Sequence, residues 1–298
     1  MVKIATFNVE NLFARYRFRS NVDPTGLDGF TINQTAFDIY DETSKQITAK
    51  AIRDVDADVI ALQEVESLPV LDRFNSRYLG GMDYTHRILV DAFDPRKIDV
   101  AVLSKHPIER VKTYRNERNA RNTAWLFSRD CLVVEIDVNG KALVLYVNHF
   151  KSMMGGRDNT RERREGQVEK VAELITEHWK KGNYKGNFVV LGDFNDYLDP
   201  NTSLTALMNH QGLVNVSERI ENADRWTHYW AGGNSYSQLD FILLSKGLAE
   251  HNGNVPETMR KGLPWRAERY SGERFDFVGE SSPKASDHCP LYMDIDLG

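Results

Sequence analysis

The sequence predicts an α+β fold in which mixed β-sheets are covered by helices. Two observations lead to this prediction. Short apolar runs bounded by turn residues recur along the whole chain, which is typical of the strands of a sheet-rich protein. Segments with helical periodicity fall between these runs without a strict strand–helix alternation, which favours mixed sheets over purely parallel ones.

The strands are predicted from runs rich in β-branched and aromatic residues, the types that fit a pleated surface. They cover residues 2–7, 59–62, 85–90, 100–103, 131–138, 143–147, 188–191, 241–244 and 290–295. Several of these runs are apolar at every position, which is typical of buried strands.

Helices are predicted at residues 43–55, 70–78 and 160–181, where apolar residues recur at helical spacing. The third helix has the clearest stripe, formed by Val168, Val171, Leu174, Ile175 and Trp179. We expect this stripe to face the core. Residues 15–42 and 246–286 have no such pattern and are predicted to be long irregular loops of the kind that often carry function.

Composition places the chain among ordinary globular proteins, with 41% apolar and 27% charged residues in 298. Without a repeat, low-complexity tract or linker, residues 1–298 are predicted to form a single domain, and we expect a monomer. The net charge of −5 excludes nucleic-acid binding by overall charge, so any such contact must be local or must use a bound cation.

The location of the protein is predicted from what the sequence lacks. No apolar run approaches the length of a membrane span, and no secretory signal is visible. Cys131 and Cys289 lie in or beside apolar runs and are expected to be buried, reduced thiols. A cytoplasmic location is therefore the default, with a secreted form whose signal has been removed as the alternative.

Polar residues follow four of the predicted strands directly. These exits carry Asn8 with Glu10, Glu64, His149, and Asp193 with Asn195. Two further strands have the reverse order and are preceded by Asp240 and by Asp287-His288. If these two strands run antiparallel to the first four, all six polar groups collect at one edge of the sheets.

Such a cluster implies a bound cation, because several carboxylates packed together repel one another and resist desolvation. Oxygen ligands with few histidines and no thiols suit Mg²⁺ or Mn²⁺ better than zinc. A hard cation beside histidine and aspartate is also what phosphate-ester hydrolysis requires, since the metal offsets developing charge while a base orients the attacking water. The residues therefore predict a divalent-metal-dependent phosphoesterase.

Seven short motifs occur in an order that strengthens this interpretation. They are residues 6–11 (TFNVEN), 62–64 (LQE), 127–129 (FSR), 148–152 (NHFKS), 192–195 (GDFN), 238–243 (QLDFIL) and 286–288 (SDH). As an ordered set from residue 4 to 296, they resemble the endonuclease/exonuclease/phosphatase superfamily. The resemblance implies a four-layer α/β/β/α sandwich of two mixed β-sheets flanked by helices, with the active site at one edge.

The resemblance also implies a metal side of the site. Glu64 resembles the principal metal carboxylate, with Asn8 beside it, and Asp287 resembles a further metal-side carboxylate. Family members vary at the position of Glu10, so both a metal role and a surface role are open for this residue.

The catalytic roles that the resemblance implies fall on five residues. Asp193 and Asn195 match the pair that orients the attacking water. His288, paired with Asp240, resembles the histidine that binds the scissile phosphate and assists proton transfer. His149 resembles the second active-site histidine of the deoxyribonuclease branch.

Three more residues are candidates for supporting roles. Arg129 matches a phosphate-contacting arginine of the deoxyribonuclease branch, and Lys151 is a candidate for adding positive charge there. Asp99 is a candidate for orienting His149, although a solvated aspartate at a strand start is the favoured interpretation.

A nuclease acting on DNA or RNA is the leading prediction for the substrate, because basic residues cluster beside the predicted site strands, some of them with aromatic neighbours. The clusters are Arg15, Arg17 and Arg19 with Tyr16 and Phe18; Lys105, Arg110, Lys112, Arg115, Arg118 and Arg121; and Arg157, Arg161, Arg163 and Arg164. Solvated charges paired with nearby glutamates are the alternative for each cluster.

Two other functions are open. A phosphatase or phosphodiesterase of a small or lipid ester fits the acidic pI of about 5.9, with Trp265, Tyr270, Phe275 and Phe277 as a possible pocket wall. Anchoring of the long loop to the core is the structural alternative for these aromatic residues. A catalytically inactive binding module is disfavoured, because the full set of acid, amide and histidine residues is present.

Overall fold

The computed structural model describes the backbone of residues 1–18 and 35–298 and the side chains of residues 1–14 and 39–298. The first eight strands in this part of the chain are β1 (Val2–Leu12), β2 (Ala14–Phe18), β3 (Thr35–Ile39), β4 (Val59–Val65), β5 (His86–Leu89), β6 (Asp99–Ser104), β7 (Ile108–Thr113) and β8 (Leu132–Val138). The other strands are β9 (Lys141–His149), β10 (Phe188–Asp193), β11 (Leu213–Asn215), β12 (His228–Trp230), β13 (Ser235–Ser237), β14 (Asp240–Ser245), β15 (Glu257–Thr258) and β16 (Leu291–Ile295). The α-helices are α1 (Glu42–Val55), α2 (Leu68–Tyr78), α3 (Arg157–Trp179), α4 (Thr205–Met208) and α5 (Lys246–His251).

Most of these strands form two six-stranded sheets. The first has the order β15-β16-β1-β4-β6-β5 and the second the order β11-β14-β10-β9-β8-β7. Both sheets are mixed, because β1 runs parallel to β4 and β9 runs parallel to β10, whereas the other pairs are antiparallel. Two separate hairpins, β2-β3 and β12-β13, complete the strand pairing.

The two sheets pack face to face through their inner side chains. Ile4, Ala61 and Val102 of the first sheet belong to one buried apolar cluster with Leu145 and Val189 of the second. Because successive side chains of a strand point to opposite faces, the neighbours of these residues point outward. The strands are therefore buried on both faces, which explains their continuous apolar runs.

Helices cover the outer face of each sheet. The outward residues Ala5 and Leu62 pack with Ile47 of α1 and Phe74 of α2. The outward residues of the second sheet pack against the stripe of α3, whose members Val168, Val171, Leu174 and Ile175 are buried and whose Trp179 is partly buried. The layers are thus α1 and α2, first sheet, second sheet, and α3. This confirms the predicted four-layer α/β/β/α sandwich.

Strand direction brings the predicted polar ends to one edge. The parallel pairs β1-β4 and β9-β10 end together, and β16 and β14 run antiparallel to their neighbours β1 and β10, so they begin where those strands end. The Cα partners at this edge include Asp193↔His149 and Asp193↔Asp240. The prediction that the strands following Asp240 and Asp287-His288 run antiparallel to their neighbours is therefore confirmed.

All nine predicted strands and all three predicted helices are present, with shifted ends. The largest difference is β1, which continues to Leu12, because β1 and β4 keep pairing beyond a shift of register that follows Asn8. The helix α3 begins at Arg157 and ends at Trp179, and a short 3-10 helix (Lys180–Gly182) follows it.

The two predicted irregular segments are partly regular, so that prediction is wrong in these parts. The first contains the paired strands β2 and β3, and the second contains α5 and β15. The edge strand β7 was also not predicted, because its residues are mostly exposed and show no apolar pattern. Short strands and edge strands depend on their partners more than on their own composition.

Cys131 and Cys289 are buried and unpaired, as predicted. Within the described residues, no helix combines the length and the apolar character needed to cross a membrane.

Candidate active site

The carboxylate of Asp193 lies at the centre of the candidate site, at the end of β10. Its Oδ2 atom accepts hydrogen bonds from Asn8 Nδ2 at 3.1 Å and Asn195 Nδ2 at 3.0 Å. The same oxygen lies 3.4 Å from Nε2 of His149 and 3.7 Å from Nε2 of His288. Asp193 is buried, and although burial opposes ionisation, His288 and His149 hold the pKa of its carboxyl group below the usual value.

The close approach of β9 and β10 at this point requires Gly192. Its φ of 138° lies in a region that L side chains avoid, and a Cβ atom here would come within 1.9 Å of the carbonyl oxygen of Asn148. The glycine therefore allows Asp193 and His149 to lie side by side. The following turn places Asn195 at φ 54°, where its backbone N–H donates to Asp193 Oδ1 at 2.9 Å.

His288 and Asp240 form a buried dyad. Nδ1 of His288 lies 2.8 Å from Oδ2 of Asp240, and the hydroxyl of Thr227 donates to the same oxygen at 2.6 Å. Burial alone would lower the pKa of His288, but Asp240 and Asp193 raise it well above the usual value. Burial raises the pKa of Asp240, although His288 opposes this effect. The geometry therefore favours an imidazolium at His288, with its Nε2 directed toward Asp193.

His149 has a different environment. Its Nε2 faces Asp193, whereas its buried Nδ1 has no hydrogen-bond partner among the described residues. Burial and the nearby Arg129 lower the pKa of His149, so this imidazole is neutral at physiological pH. The two histidines on either side of Asp193 are thus set to opposite charge states.

Asp99 does not contact His149. Its Oδ1 accepts a hydrogen bond from the backbone N–H of Ala92 at 3.1 Å, and only 3% of its surface is exposed. Both interpretations from the sequence are therefore wrong, because the residue is neither an orienting partner of His149 nor solvated. Burial raises the pKa of Asp99 to about 7.

Glu64 lies at a β-bulge in β4. It has a φ of 67°, and the pairing of β4 with β6 shifts register between Gln63 and Val65. One carboxylate oxygen accepts a hydrogen bond from the backbone N–H of Asn11 at 3.1 Å, and the other lies 3.6 Å from Arg96. The bulge turns the carboxylate toward the edge of the sheet, where the side chain is 14% exposed.

Asn8 links Glu64 to Asp287. Its strand pairs with β4 at Asn8↔Gln63, one residue before Glu64. On the other side, its backbone carbonyl accepts a hydrogen bond from the hydroxyl of Ser286 at 2.7 Å, and this hydroxyl lies 3.4 Å from Asp287. Asn8 and Glu64, on the adjacent strands β1 and β4, and Asp287, in the segment before β16, thus carry oxygen atoms at this edge of the first sheet.

The donor set fits a hard divalent cation, because it consists of carboxylate and amide oxygens without a thiol. Two compact groups of ligand atoms occur among the described residues. They are Asp193, Asp240 and His288, and His228, Asp287 and His288. Of the three predicted metal residues, Asp287 belongs to one of these groups, together with His228 and His288, whereas Asn8 and Glu64 belong to neither.

Glu10 forms an ion pair with Lys284, at 2.7 and 2.8 Å from its two carboxylate oxygens. Lys45, a buried residue of α1, fixes the backbone at this position. Its Nζ donates to the carbonyls of Val9 and Glu10 at 2.5 and 2.6 Å. Burial lowers the pKa of Lys45 to about 8. The Glu10 side chain thus forms a partly exposed ion pair with Lys284.

Arg129 and Lys151 lie on the His149 side of the site. The buried guanidinium of Arg129 donates to Asp94 at 3.0 Å and to the carbonyl of Phe150 at 2.9 Å, and that carbonyl also accepts from Asn195 at 3.2 Å. Lys151 is partly exposed, and its Nζ forms no ion pair among the described residues. Arg129 is thus fixed beside the Asp193 cluster.

A family model matches residues 3–296 of the chain, and its description is "Endonuclease/Exonuclease/phosphatase family". The chain belongs to this family. The endonuclease/exonuclease/phosphatase family consists of phosphoester hydrolases that depend on divalent metals, which agrees with the acidic and histidine cluster at the sheet edge. The family resemblance of the ordered motifs is therefore confirmed.

Several solved structures have a similar fold. The D. rerio TDP2 complex with a single-strand DNA product has a TM-score of 0.60 at 15% identity, covering 98% of this chain and 97% of that one. The human Nocturnin catalytic domain with a bound sulfate anion has a TM-score of 0.59 at 14% identity, covering 100% and 94%. Beta toxin from Staphylococcus aureus has a TM-score of 0.59 at 15% identity, covering 98% and 99%. A sequence search of curated proteins finds no significant match.

The sequence analysis of this family member missed His228. This residue follows Thr227, the partner of Asp240, and its ring centroid lies 4.6 Å from that of His288. Burial and His288 lower the pKa of His228 to about 4. The residue lies in a short hairpin strand that the sequence did not predict. An isolated antiparallel bridge pairs it with His288, before β16, and it lies 3.9 Å from Asp287.

Asp94 was also missed. It precedes no predicted strand. Asp94 belongs to the site because it accepts a hydrogen bond from Arg129, a residue far from it in the sequence. The predicted basic cluster at Arg15, Arg17 and Arg19, with Tyr16 and Phe18, lies outside the residues whose side chains the structure describes.

Proposed function

We propose that this protein is a divalent-metal-dependent phosphodiesterase that hydrolyses P–O bonds with an activated water, and that its substrate is a nucleic acid strand. The single observation that carries the proposal is the position of the Asp193 carboxylate, which is bonded to Asn8 and Asn195 and flanked by His149 and His288. Few structural sites bury an ionised carboxylate between two histidines.

The proposed metal ligands are Glu64 and Asn8, with Asp287 as a further carboxylate on the same side. Mg²⁺ or Mn²⁺ suits these oxygen donors. A divalent cation held there supplies electrostatic stabilisation of the negative charge that develops on the phosphoryl group. Lys45 helps to position Asn8, because its hydrogen bonds fix the backbone of the next two residues, Val9 and Glu10.

Asp193 is proposed to orient the attacking water. A carboxylate whose pKa is held low remains ionised and accepts a hydrogen bond from water at neutral pH. Asn195 fixes the orientation of Asp193 through two hydrogen bonds, one from its backbone and one from its amide. Asn195 also reaches the Phe150 carbonyl, which connects it to Arg129.

The two histidines are proposed to bind the phosphoryl oxygens. His288, held as an imidazolium by Asp240, donates from Nε2 and can transfer a proton toward the leaving oxygen. His149 is neutral and offers a hydrogen bond without a full charge. Arg129 and Lys151 are proposed to add positive charge on the same side.

A nucleic acid substrate is favoured over a small or lipid ester for two reasons. D. rerio TDP2, which has the same fold, was solved with a single-strand DNA product. The aromatic residues of the 246–286 loop do not form one wall, because Tyr270 and Phe275 pack against core clusters whereas Phe277 is 80% exposed. The family model spans residues 3–296, and we propose accordingly that residues 1–298 form one domain.

A substrate panel tests this proposal. Single-stranded DNA, RNA, supercoiled plasmid, bis-p-nitrophenyl phosphate and p-nitrophenyl phosphate are incubated with Mg²⁺ or Mn²⁺. Cleavage of the nucleic acids and of the diester, with little action on the monoester, is expected. Preferential hydrolysis of the monoester would instead favour the small-ester alternative.

A further inference from the structure

Most arginines and lysines of the two described basic clusters are neutralised by neighbouring carboxylates. The residues with such a partner are Lys105, Arg110, Arg121, Arg157, Arg161 and Arg164. Arg115, Arg118 and Arg163 have no carboxylate partner within the part of the chain whose side chains are described. Within the same part of the chain, Lys112 also lacks a carboxylate partner and lies over the ring of Tyr114.

These residues are connected to the candidate site by a network of hydrogen bonds. Arg163 donates to the carbonyls of Leu126 and Trp125 at 3.1 and 3.0 Å. Gln167 donates to Leu126 at 2.9 Å and accepts at 2.8 Å from the backbone N–H of Lys151. Lys151 therefore lies between the Arg129 side of the site and the segment that carries Trp125.

An exposed aromatic pair lies beside this positive charge. The rings of Phe93 and Trp125 are stacked, with centroids 4.7 Å apart and planes 12° from parallel. They are 40% and 37% exposed. The guanidinium of Arg118 lies 4.3 Å from the centroid of Trp125, and that of Arg115 lies 5.8 Å from the centroid of Phe93.

The aromatic pair is close to the proposed catalytic groups in the fold. Phe93 directly precedes Asp94, the partner of Arg129, and its N–H donates to the carbonyl of Ser128 at 2.8 Å. On the other side of Trp125, a cleft separates the loop at residues 119–126 from α3, with Arg163, Glu162 and Glu165 in its lining. Lys151, Arg163 and Trp125 are thus connected through the hydrogen bonds of Gln167 and Leu126.

We propose that the surface formed by Lys151, Arg163, Trp125 and Phe93 with Arg115 and Arg118 binds the single-stranded nucleic acid chain that extends from the scissile phosphate. The proposal rests on the proposed phosphodiesterase function and names the substrate class of that site. Phosphates lie along the positive residues, and an unpaired base stacks on the aromatic and guanidinium planes.

The chemistry of the surface favours a single strand. Arg115, Arg118 and Arg163 form no ion pair among the described residues, and several such cations close to one another attract a chain that carries more than one phosphate. Stacked aromatic rings with arginines are the means by which single strands are bound without sequence preference, because every base has a π-face. In a duplex these faces are covered by neighbouring bases.

Binding measured without turnover tests the proposal. Fluorescein-labelled oligothymidylate of about twelve nucleotides is titrated in EDTA, and its anisotropy gives the Kd for the wild type and for Trp125→Ala. We expect Kd to rise about 5- to 150-fold in the variant, the range expected for loss of one stacking contact. Trp125→Phe, which keeps a ring, should restore most of the affinity.

Trp265→Ala is the matched control. Trp265 is 52% exposed and carries Arg274 at 4.6 Å from its ring centroid, but it belongs to the 246–286 loop. This variant should bind the oligonucleotide like the wild type. Thermal unfolding of all variants establishes that they are folded.

Three results would overturn the proposal. They are an unchanged Kd in folded Trp125→Ala, an equal loss of affinity in Trp265→Ala, and a loss that is equally large for a duplex of the same length. The failure of the proposed function is recognised separately, because it would appear as absence of diester hydrolysis by the wild type with Mg²⁺ or Mn²⁺. Binding in EDTA does not depend on that activity.

Discussion

The imidazole of His288 is held between two buried carboxylates. Its Nδ1 lies 2.8 Å from Oδ2 of Asp240, and its Nε2 lies 3.7 Å from Oδ2 of Asp193. Burial opposes the charge on the ring, but the two carboxylates outweigh it and raise the pKa. This arrangement favours the protonated ring, which faces the carboxylate that is proposed to orient the attacking water.

The first prediction concerns the pH dependence of hydrolysis. Asp240→Asn removes the negative charge that raises the pKa of His288, so the imidazolium is expected to lose its proton at lower pH. If the protonated ring is required, the alkaline limb of the pH–rate profile should move to lower pH. The profile of kcat/KM for bis-p-nitrophenyl phosphate measures this shift.

Asp137→Asn provides the control for this variant. Asp137 lies near the turn between β8 and β9, at the opposite edge of the second sheet, where it accepts a hydrogen bond from Gly140. The pH profile of kcat/KM for Asp137→Asn should match that of the wild type. An alkaline limb that stays in place in folded Asp240→Asn would contradict the role assigned to the dyad.

The second prediction concerns the metal. Glu64→Gln keeps the shape of the side chain but removes its charge, so the affinity for Mn²⁺ should fall by about tenfold or more. Isothermal titration calorimetry with Mn²⁺ measures this change. Glu135→Gln, which alters a carboxylate paired with Arg110 on β8, should bind Mn²⁺ like the wild type. Equal affinities for all three proteins would remove Glu64 from the metal site.

The third prediction concerns the buried Lys45. Lys45→Met leaves the carbonyls of Val9 and Glu10 without their donor, and unsatisfied buried groups cost roughly 1–3 kcal/mol. Urea unfolding should show a loss of this size in the free energy of unfolding. Lys50→Met on the same helix is the control, because Lys50 is 44% exposed and forms a surface ion pair of 3.6 Å, so the change should stay within about 0.5 kcal/mol.

The fourth prediction concerns the pH dependence of stability. The pKa of Asp99 is about 7 in the folded protein, above its unfolded value of about 3.9. Between these values the folded state binds more protons than the unfolded state, so this group makes the free energy of unfolding fall as pH rises. Asp99→Asn keeps the hydrogen-bond acceptor for Ala92 but cannot titrate, so it removes this contribution to the pH dependence of the free energy of unfolding.

Urea unfolding between pH 4 and pH 8 tests the Asp99 prediction. Asp99→Asn should be more stable than the wild type above pH 7, by about 1–4 kcal/mol, because each pKa unit corresponds to about 1.4 kcal/mol. Asp276→Asn, whose side chain is 85% exposed, serves as the control and should follow the wild type. Parallel curves for the wild type and Asp99→Asn would contradict the prediction.

Much of the fold could be predicted from the sequence, because the sandwich buries both faces of its central strands. Apolar runs such as those of β4 and β10 are long enough to be recognised without knowledge of their partners. The polar residue at each exit follows from the same pattern, since a strand must stop being apolar where it leaves the core. The site edge was therefore predictable once the strand directions were inferred.

The remaining features depend on tertiary structure. The bulge at Glu64 and the positive φ of Glu10 and Asn11 arise where β1 and β4 lose register, which no local pattern indicates. His228 enters the site because a hairpin folds back onto His288. Asp99 starts a strand like a solvated residue, but the surrounding chain buries it. In each case the environment comes from residues distant in the sequence.

The most direct test of the account is the initial rate of bis-p-nitrophenyl phosphate hydrolysis by the wild type and by Asp193→Asn, with Mn²⁺ and with EDTA. The account predicts turnover by the wild type with Mn²⁺, none in EDTA, and a rate about 10²–10⁴-fold lower for the variant. Hydrolysis that persists in EDTA, or a folded Asp193→Asn protein as active as the wild type, would contradict a metal-dependent site centred on Asp193.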